Sequence, residues 1–128
     1  MGQQGKHLNS IKVSHEKHTA GCATEIMAIP ETVCISMSQH IGAPCKPLVK
    51  KGDQVKVGQL IGDTDAFVSA PIHSSVSGTV KEISTIRSVT GGDDQVVIIE
   101  TDGNQDVYEE IKPPVINDMK DFIAAVRA

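Results

Sequence analysis

The stretch Lys46–Ile83, K-P-L-V-K-K-G-D-Q-V-K-V-G-Q-L-I-G-D-T-D-A-F-V-S-A-P-I-H-S-S-V-S-G-T-V-K-E-I, alternates short apolar runs with Gly-Asp, Gly-Gln, Ala-Pro and Ser-Gly pairs. Each interruption comes before a helical stripe could complete itself, so the stretch predicts short, tightly turned strands. Lys51-Gly52-Asp53 supplies one reversal, Val55 and Val57 then point one way, and Gly58-Gln59 makes a second corner ahead of Leu60-Ile61. Two corners so close together imply strands that wrap. Beyond the tip Asp63-Thr64-Asp65-Ala66-Phe67, Val68 to Ala70 runs to Pro71, and Ser77-Gly78 turns into Thr79-Val80-Lys81-Glu82-Ile83. Val76, Gly78 and Val80 alternating with Thr79 and Lys81 predict a strand with one buried face.

Upstream, Val33, Ile35 and Met37 alternate in a predicted strand from about Thr32 to Ser38, with those side chains inward. Gln39 to Pro47 is turn-rich: Gly42 permits a positive φ, and its prolines oppose ladder pairing, so a fixed loop is expected. Downstream, Arg87 to Gln95 reads as a loop centred on Gly91-Gly92-Asp93-Asp94. Val96-Val97-Ile98-Ile99 then reads as a fully buried strand, stopped by the turn Thr101-Asp102-Gly103-Asn104. K-K-G-D-Q-V-K-V-G-Q-L-I and T-G-G-D-D-Q-V-V-I-I-E share a Gly-Asp turn followed by Gln-Val, a faint internal echo. Pro113-Pro114 is a stiff break. After it Asn117 caps a predicted helix from Asp118 to Arg127, with Met119, Phe122, Ile123 and Val126 on one stripe. No Gly or Pro stops that helix, so the natural protein is expected to continue. The expected organisation is a polar N-terminal arm over residues 1–24, a β domain over 25–112, and a linker with helix over 113–128.

At 128 residues the chain suits one domain, able to bury roughly two-thirds of its unfolded surface. With no Trp, one Tyr and two Phe, the core must come from Val, Ile, Leu and Ala, which suits β structure. A formal charge of −4 and so few aromatics argue against nucleic acid as a partner, since phosphate and base contacts need basic and stacking surfaces. Lys46, Lys50, Lys51 and Lys56 read as a solvated strand edge. No apolar run approaches the roughly 20 residues that span a bilayer, and Met1–His7 lacks a signal-peptide core. The expectation is a protein of the cytoplasm or its membrane face, without direct membrane insertion.

The reactive residue types form no set by spacing alone. Cys22, Cys34 and Cys45 are an odd number without a C-x-x-C pair and read as reduced structural or surface thiols. His7, His15 and His18 lack flanking ligands and read as part of a surface-laid arm. His40, His73 and Cys45 belong to separate turns, so only a fold could bring them together; His73 is the best lone candidate for a site. Gly91-Gly92-Asp93 lacks the lysine and spacing of a phosphate loop, and Asp63, Asp65, Asp93 and Asp94 do not form a calcium loop.

The segments K-K-G-D-Q-V-K-V-G-Q-L-I and S-A-P-I-H-S-S-V-S-G-T-V resemble the barrel-sandwich hybrid of biotinyl and lipoyl carrier domains. Those carriers hold their cofactor on a lysine at the hairpin tip; the tip here has none, so amide attachment of biotin or lipoate is chemically unavailable there. A closer resemblance covers nearly the whole chain. Ser38-Gln39-His40-Ile41-Gly42-Ala43-Pro44, together with Phe67-Val68-Ser69-Ala70-Pro71-Ile72-His73, resembles the N-terminal domain of the C subunit of the Rnf electron transport complex, the ion-translocating ferredoxin:NAD oxidoreductase. The first twenty or so residues match loosely, since the family's Gly-Gly-Ile-His opening is not present as such around Ile11 to His15.

The resemblance implies a mainly β, barrel-sandwich hybrid fold with an irregular N-terminal arm and a C-terminal helix. In that family the domain precedes an NADH/FMN-binding domain, a ubiquitin-like domain and a region with two C-x-x-C-x-x-C-x-x-x-C-P motifs for 4Fe-4S clusters. None of these motifs occurs in this sequence. The expectation is therefore a non-catalytic structural or docking piece that carries no cofactor, with iron–sulfur, FMN and NADH chemistry belonging to the parent subunit. Its partners would be neighbouring domains and other subunits on the cytoplasmic side of the membrane. Gln39, His40, Ile41, Gly42, Ile72 and His73 are the expected interdomain contacts. Two alternatives are a biotin- or lipoate-type carrier, which needs the missing lysine, and a histidine phosphocarrier, which needs His73 beside a second histidine.

Overall fold

A β-branched hairpin is the longest regular piece of the chain. In the computed structural model, which describes residues 14–88 and 91–127, it pairs Gly78–Arg87 with Asp93–Thr101. In chain order the strands are β1 (Thr32–Ser36), β2 (Lys46–Pro47), β3 (Gln54–Val55), β4 (Leu60–Asp63), β5 (Ile72–His73), β6 (Gly78–Arg87) and β7 (Asp93–Thr101). They are followed by α1 (Met119–Arg127). Neighbouring strands are antiparallel, in two sheets of order β1-β7-β6-β3 and β2-β4-β5. Both sheets feed one core of Ile35, Met37, Val55, Ile61, Ile72, Val80, Val97 and Ile99, which matches the mainly β, barrel-sandwich hybrid expectation.

The wrapping of the central stretch follows from its punctuation. Gly52 and Gly58 adopt φ of +91° and +80°, conformations that cost a side-chain-bearing residue steric strain, and they turn the chain at the two expected corners. The echo also has a structural counterpart: Gly52-Asp53 and Gly92-Asp93 each lead into a strand antiparallel to β6, β3 near its start and β7 along its length. A bulge between Val80 and Glu82 shifts the side-chain phase of β6. Val80 is buried before it, and Ile83 rather than Glu82 packs against the core after it.

Three local expectations need correction. The loop over Arg87 to Gln95 is shorter, because the ladder continues to the Arg87–Asp93 pair, where the two side chains meet at 3.3 Å. Polar side chains there mark an exposed hairpin end, closed by Ser88 N–H donating to Gly92 O at 2.8 Å. Pro47 pairs with Gly62 in β2; as an edge strand, β2 tolerates a residue without an N–H on its outer side. The helix is capped by Asp118 rather than Asn117. The Asp118 carboxylate accepts the amides of Lys120 and Asp121 at 2.8 and 2.9 Å, while Asp121 reaches back to the Asn117 amide at 3.0 Å. The helical stripe itself is as expected, but Met119, Phe122, Ile123 and Val126 are all exposed.

The described part of the N-terminal arm, from Ser14, is exposed and turned by short backbone bonds around Lys17 to Cys22. His18 meets Glu16 at 2.9 Å; His7 lies outside the described residues. Among the described residues no helix is long and apolar enough to cross a membrane.

Candidate functional site

Two loops that the sequence keeps thirty residues apart meet at one end of the core. The first runs from Met37 at the end of β1 to Cys45, and is closed at its base by Cys45 N–H donating to Met37 O at 2.8 Å. Ser38 N–H donates to Ser36 Oγ at 3.0 Å, and Gln39 Nε2 donates to Ser36 O at 2.9 Å. The second loop is the tip after β4. Asp63 Oδ1 accepts the Thr64 amide at 2.8 Å, and Ser69 Oγ donates to Ala66 O at 2.6 Å, so the tip is braced from within.

Gly42 is where the loops touch most closely. Its φ is +120°, and a Cβ there would stand 2.1 Å from Val68 O, so both conformation and space demand glycine. Ala43 N–H donates to the same carbonyl at 3.3 Å. The next clasp is made by side chains. His40 Nε2 accepts the Ala70 amide at 3.2 Å, while its Nδ1 lies 3.1 Å from Ile41 O. Those two partners require a neutral ring protonated on Nδ1. Cys45 Sγ donates to Ala70 O at 3.2 Å, and lies 3.7 Å from His40 Nε2.

The Cys45–His40 proximity is not a nucleophilic pair. Burial, reinforced by the Asp63 carboxylate, pushes the Cys45 thiol up, and the ring nitrogen that would take its proton is engaged by Ala70. The arrangement holds backbone instead. What it presents outward is apolar: Phe67 is 100% exposed, Ile41 91% and Val68 56%. These three exposed apolar side chains stand on loops braced by the bonds just described.

The expected site residues separate into three environments. Gln39, His40 and Ile41 line an open groove of about 530 Å³ with Ile86, Arg87 and Asp94. His73, on edge strand β5, lines a different groove of about 480 Å³ with Leu60, Tyr108, Ile111, Pro114 and Ala125, and no second histidine stands in that lining. Ile72 points into the core at 6% exposure, and Gly42 serves the loop contact just described. His40 and Cys45 are brought together; His73 lies elsewhere. Among the described residues no cluster of three or more His, Cys, Asp or Glu could hold a metal ion.

Sequence reasoning missed Phe67 and Val68 as surface residues and Cys45 as a clasp. An aromatic beside Asp63 and Asp65 in a turn was a usable signal for the first, since a buried Phe would rarely be flanked so closely by carboxylates. Cys45 offered none, because its partner Ala70 is recognised through backbone atoms.

The RnfC barrel sandwich hybrid domain is the family whose model matches this sequence, over residues 6–104, so the match takes in most of the polar N-terminal stretch. The chain is 48% identical over 96 residues to the C subunit of the proton-translocating ferredoxin:NAD(+) oxidoreductase complex of Clostridium ljungdahlii, covering 75% of this chain and 21% of that protein. It is 49% identical over 84 residues to the C subunit of the Na(+)-translocating ferredoxin:NAD(+) oxidoreductase complex of Acetobacterium woodii, covering 66% and 19%. With the C subunit of the ion-translocating oxidoreductase complex of Methanosarcina acetivorans it shares 39% over 79 residues, covering 60% and 18%. The chain thus spans about a fifth of the length of these relatives.

Proposed function

The chain belongs to the RnfC barrel sandwich hybrid family, and from that premise we propose that it is a non-catalytic docking domain of the C subunit of an ion-translocating ferredoxin:NAD oxidoreductase complex. The observation that carries this reading is the braced pair of loops presenting Ile41, Phe67 and Val68 to solvent, with the nearby thiol and imidazole both committed to holding Ala70. Its partners are other domains of the same subunit and other subunits of the complex. It holds no cofactor of its own; 4Fe-4S, FMN and NADH chemistry belongs to the remainder of the subunit. Placement is peripheral, on the cytoplasmic side of the membrane.

The test is assembly. Phe67→Ser and Ile41→Ser, introduced together into the full-length subunit, are expected to reduce its retention in the purified complex at least about tenfold, the scale of losing a central apolar anchor. Ser substitution at Val115, exposed and outside the tip, serves as the control and is expected to leave retention unchanged. Unchanged retention of the double variant overturns the docking surface. Stoichiometric flavin or iron–sulfur absorbance in the isolated chain overturns the non-catalytic reading.

A further inference from the structure

The peptide atoms of Ala70 are gripped at both ends by side chains of the other loop: its N–H by His40 Nε2 at 3.2 Å, its C=O by the Cys45 thiol at 3.2 Å. The two grips differ in one chemical respect. The thiol donates and loses that ability only when it gives up its proton; the imidazole accepts and loses that ability when it gains one. Burial and Asp63 keep the thiol protonated, so the Cys45 grip persists across the neutral range. His40 is half-buried, at the mouth of an open groove where solvent protons reach it.

We propose that His40 is the moving part of a proton-operated latch: neutral, it fastens the loop 37–45 to the tip 64–71, and protonated, it loosens that attachment. A proton added at Nε2 faces the Ala70 N–H donor with a second donor, so the hydrogen bond is lost and a cation stands against an amide proton. Nδ1 keeps its partner, Ile41 O, in either state, so the change falls on Nε2, whose neighbours are the Ala70 N–H at 3.2 Å and Cys45 Sγ at 3.7 Å.

The charged groups around the ring do not replace that bond. Across its groove stand Arg87 of β6 and Asp94 of β7, with Arg87 already paired to Asp93 at 3.3 Å. Asp63, at the end of β4, acts on the neighbouring Cys45. With the His40 grip released, the tip is held by Cys45 and by the Ala43–Val68 bond of 3.3 Å, a weaker attachment for the segment that carries Phe67 and Val68. The latch stands on this chain's geometry alone; that it governs docking rests on the reading proposed above.

Amide exchange and imidazole resonances of the isotopically labelled chain decide it, without any partner, so the latch and the docking role fail separately. Between about pH 8 and pH 5, the range in which an imidazole takes up its proton, protection of the Ala70 amide, corrected for intrinsic exchange, should fall about tenfold, the upper range for one net hydrogen bond. The Ala70 and His40 signals should titrate together. In His40→Gln, whose amide oxygen can accept the same N–H but takes up no proton, the Ala70 response should vanish. An Ala70 amide indifferent to pH while His40 titrates, a His40 that does not titrate in the range, or an unaltered Ala70 response in His40→Gln overturns the latch. Should the variant fail to fold, the two results on the unaltered chain still decide.

Discussion

Ser77 and Asp102 are joined twice across the base of the long hairpin: Ser77 Oγ donates to Asp102 Oδ1 at 2.6 Å, and Asp102 N–H donates to Ser77 O at 3.1 Å. The same hydroxyl accepts the Asp106 amide at 3.0 Å, and Gln105 Oε1 accepts the Ser77 amide at 3.2 Å. A turn that leaves β7 is thereby pinned to the residue that precedes β6. Gln105 adopts a positive φ of 57°, the one such non-glycine conformation among the described residues, and these bonds hold it.

Ser77→Ala removes a hydroxyl on a residue only 1% exposed and leaves the Asp106 amide without that acceptor. The expected loss is about 1–3 kcal/mol of unfolding free energy, read by urea denaturation with the slope unchanged.

The Ser77 hydroxyl, followed by the Asn104 amide, holds the Asp102 carboxyl below the usual carboxylate range. A carboxyl whose folded-state pKa is depressed contributes stability above its unfolded pKa and loses it as pH falls through the folded value. Acid titration of the unfolding midpoint should therefore show an Asp102-dependent decline below the ordinary carboxylate range. Asp102→Asn should flatten that limb and leave the profile above it parallel.

Gly78→Ala is expected to be severe. A Cβ there would stand 2.1 Å from Glu100 O and 2.9 Å from Thr101 Cα, both backbone atoms of β7 that cannot yield without breaking the ladder. A loss of roughly 3 kcal/mol or more, or failure to fold, is the outcome to look for in thermal melts.

Gly62 and Met37 should be energetically coupled. A Cβ on Gly62 would lie 2.5 Å from Met37 Sδ, a side chain that is 0% exposed. Met37→Ala alone should cost about 2–5 kcal/mol through the cavity it leaves. Gly62→Ala should cost less in that background than in the native chain, because the cavity receives the added methyl; a double-mutant cycle measures the difference.

Asp118→Ala removes the helix cap. Helix content by circular dichroism should fall, while the global unfolding midpoint changes little, because the apolar face of α1 is exposed and contributes little burial to the core. A large shift in the midpoint would show that the helix is coupled to the sheets.

The legible parts of the fold were those written in short-range alternation. Val76 and Val80 could be assigned to a buried strand face from alternation, and Val96, Val97 and Ile99 to a buried strand from their continuous apolar run. Arg87 to Gln95 misled because polarity marks both a loop and an exposed hairpin end, and only the Arg87–Asp93 pairing separates them. The candidate site was legible in part: His40 and Gly42 were singled out, and both belong to the loop contact. Ile72 was singled out for surface contact and faces the core.

Local chemistry along the chain was enough to specify a small β domain with wrapped strands, a tip that carries no lysine, and residues that match a family of electron-transport subunits. It could not specify the bulge after Val80 or the grip of His40 and Cys45 on Ala70. Both depend on which distant backbone atoms a side chain meets, and alternation has no information about partners thirty residues away. The tertiary structure therefore decided that Cys45 and His40 hold backbone, and that the tip offers Phe67 and Val68, and the facing loop Ile41, outward. The physical reason is that closure of the two loops satisfies the polar groups of Ala70 from within and leaves those three side chains no core to enter.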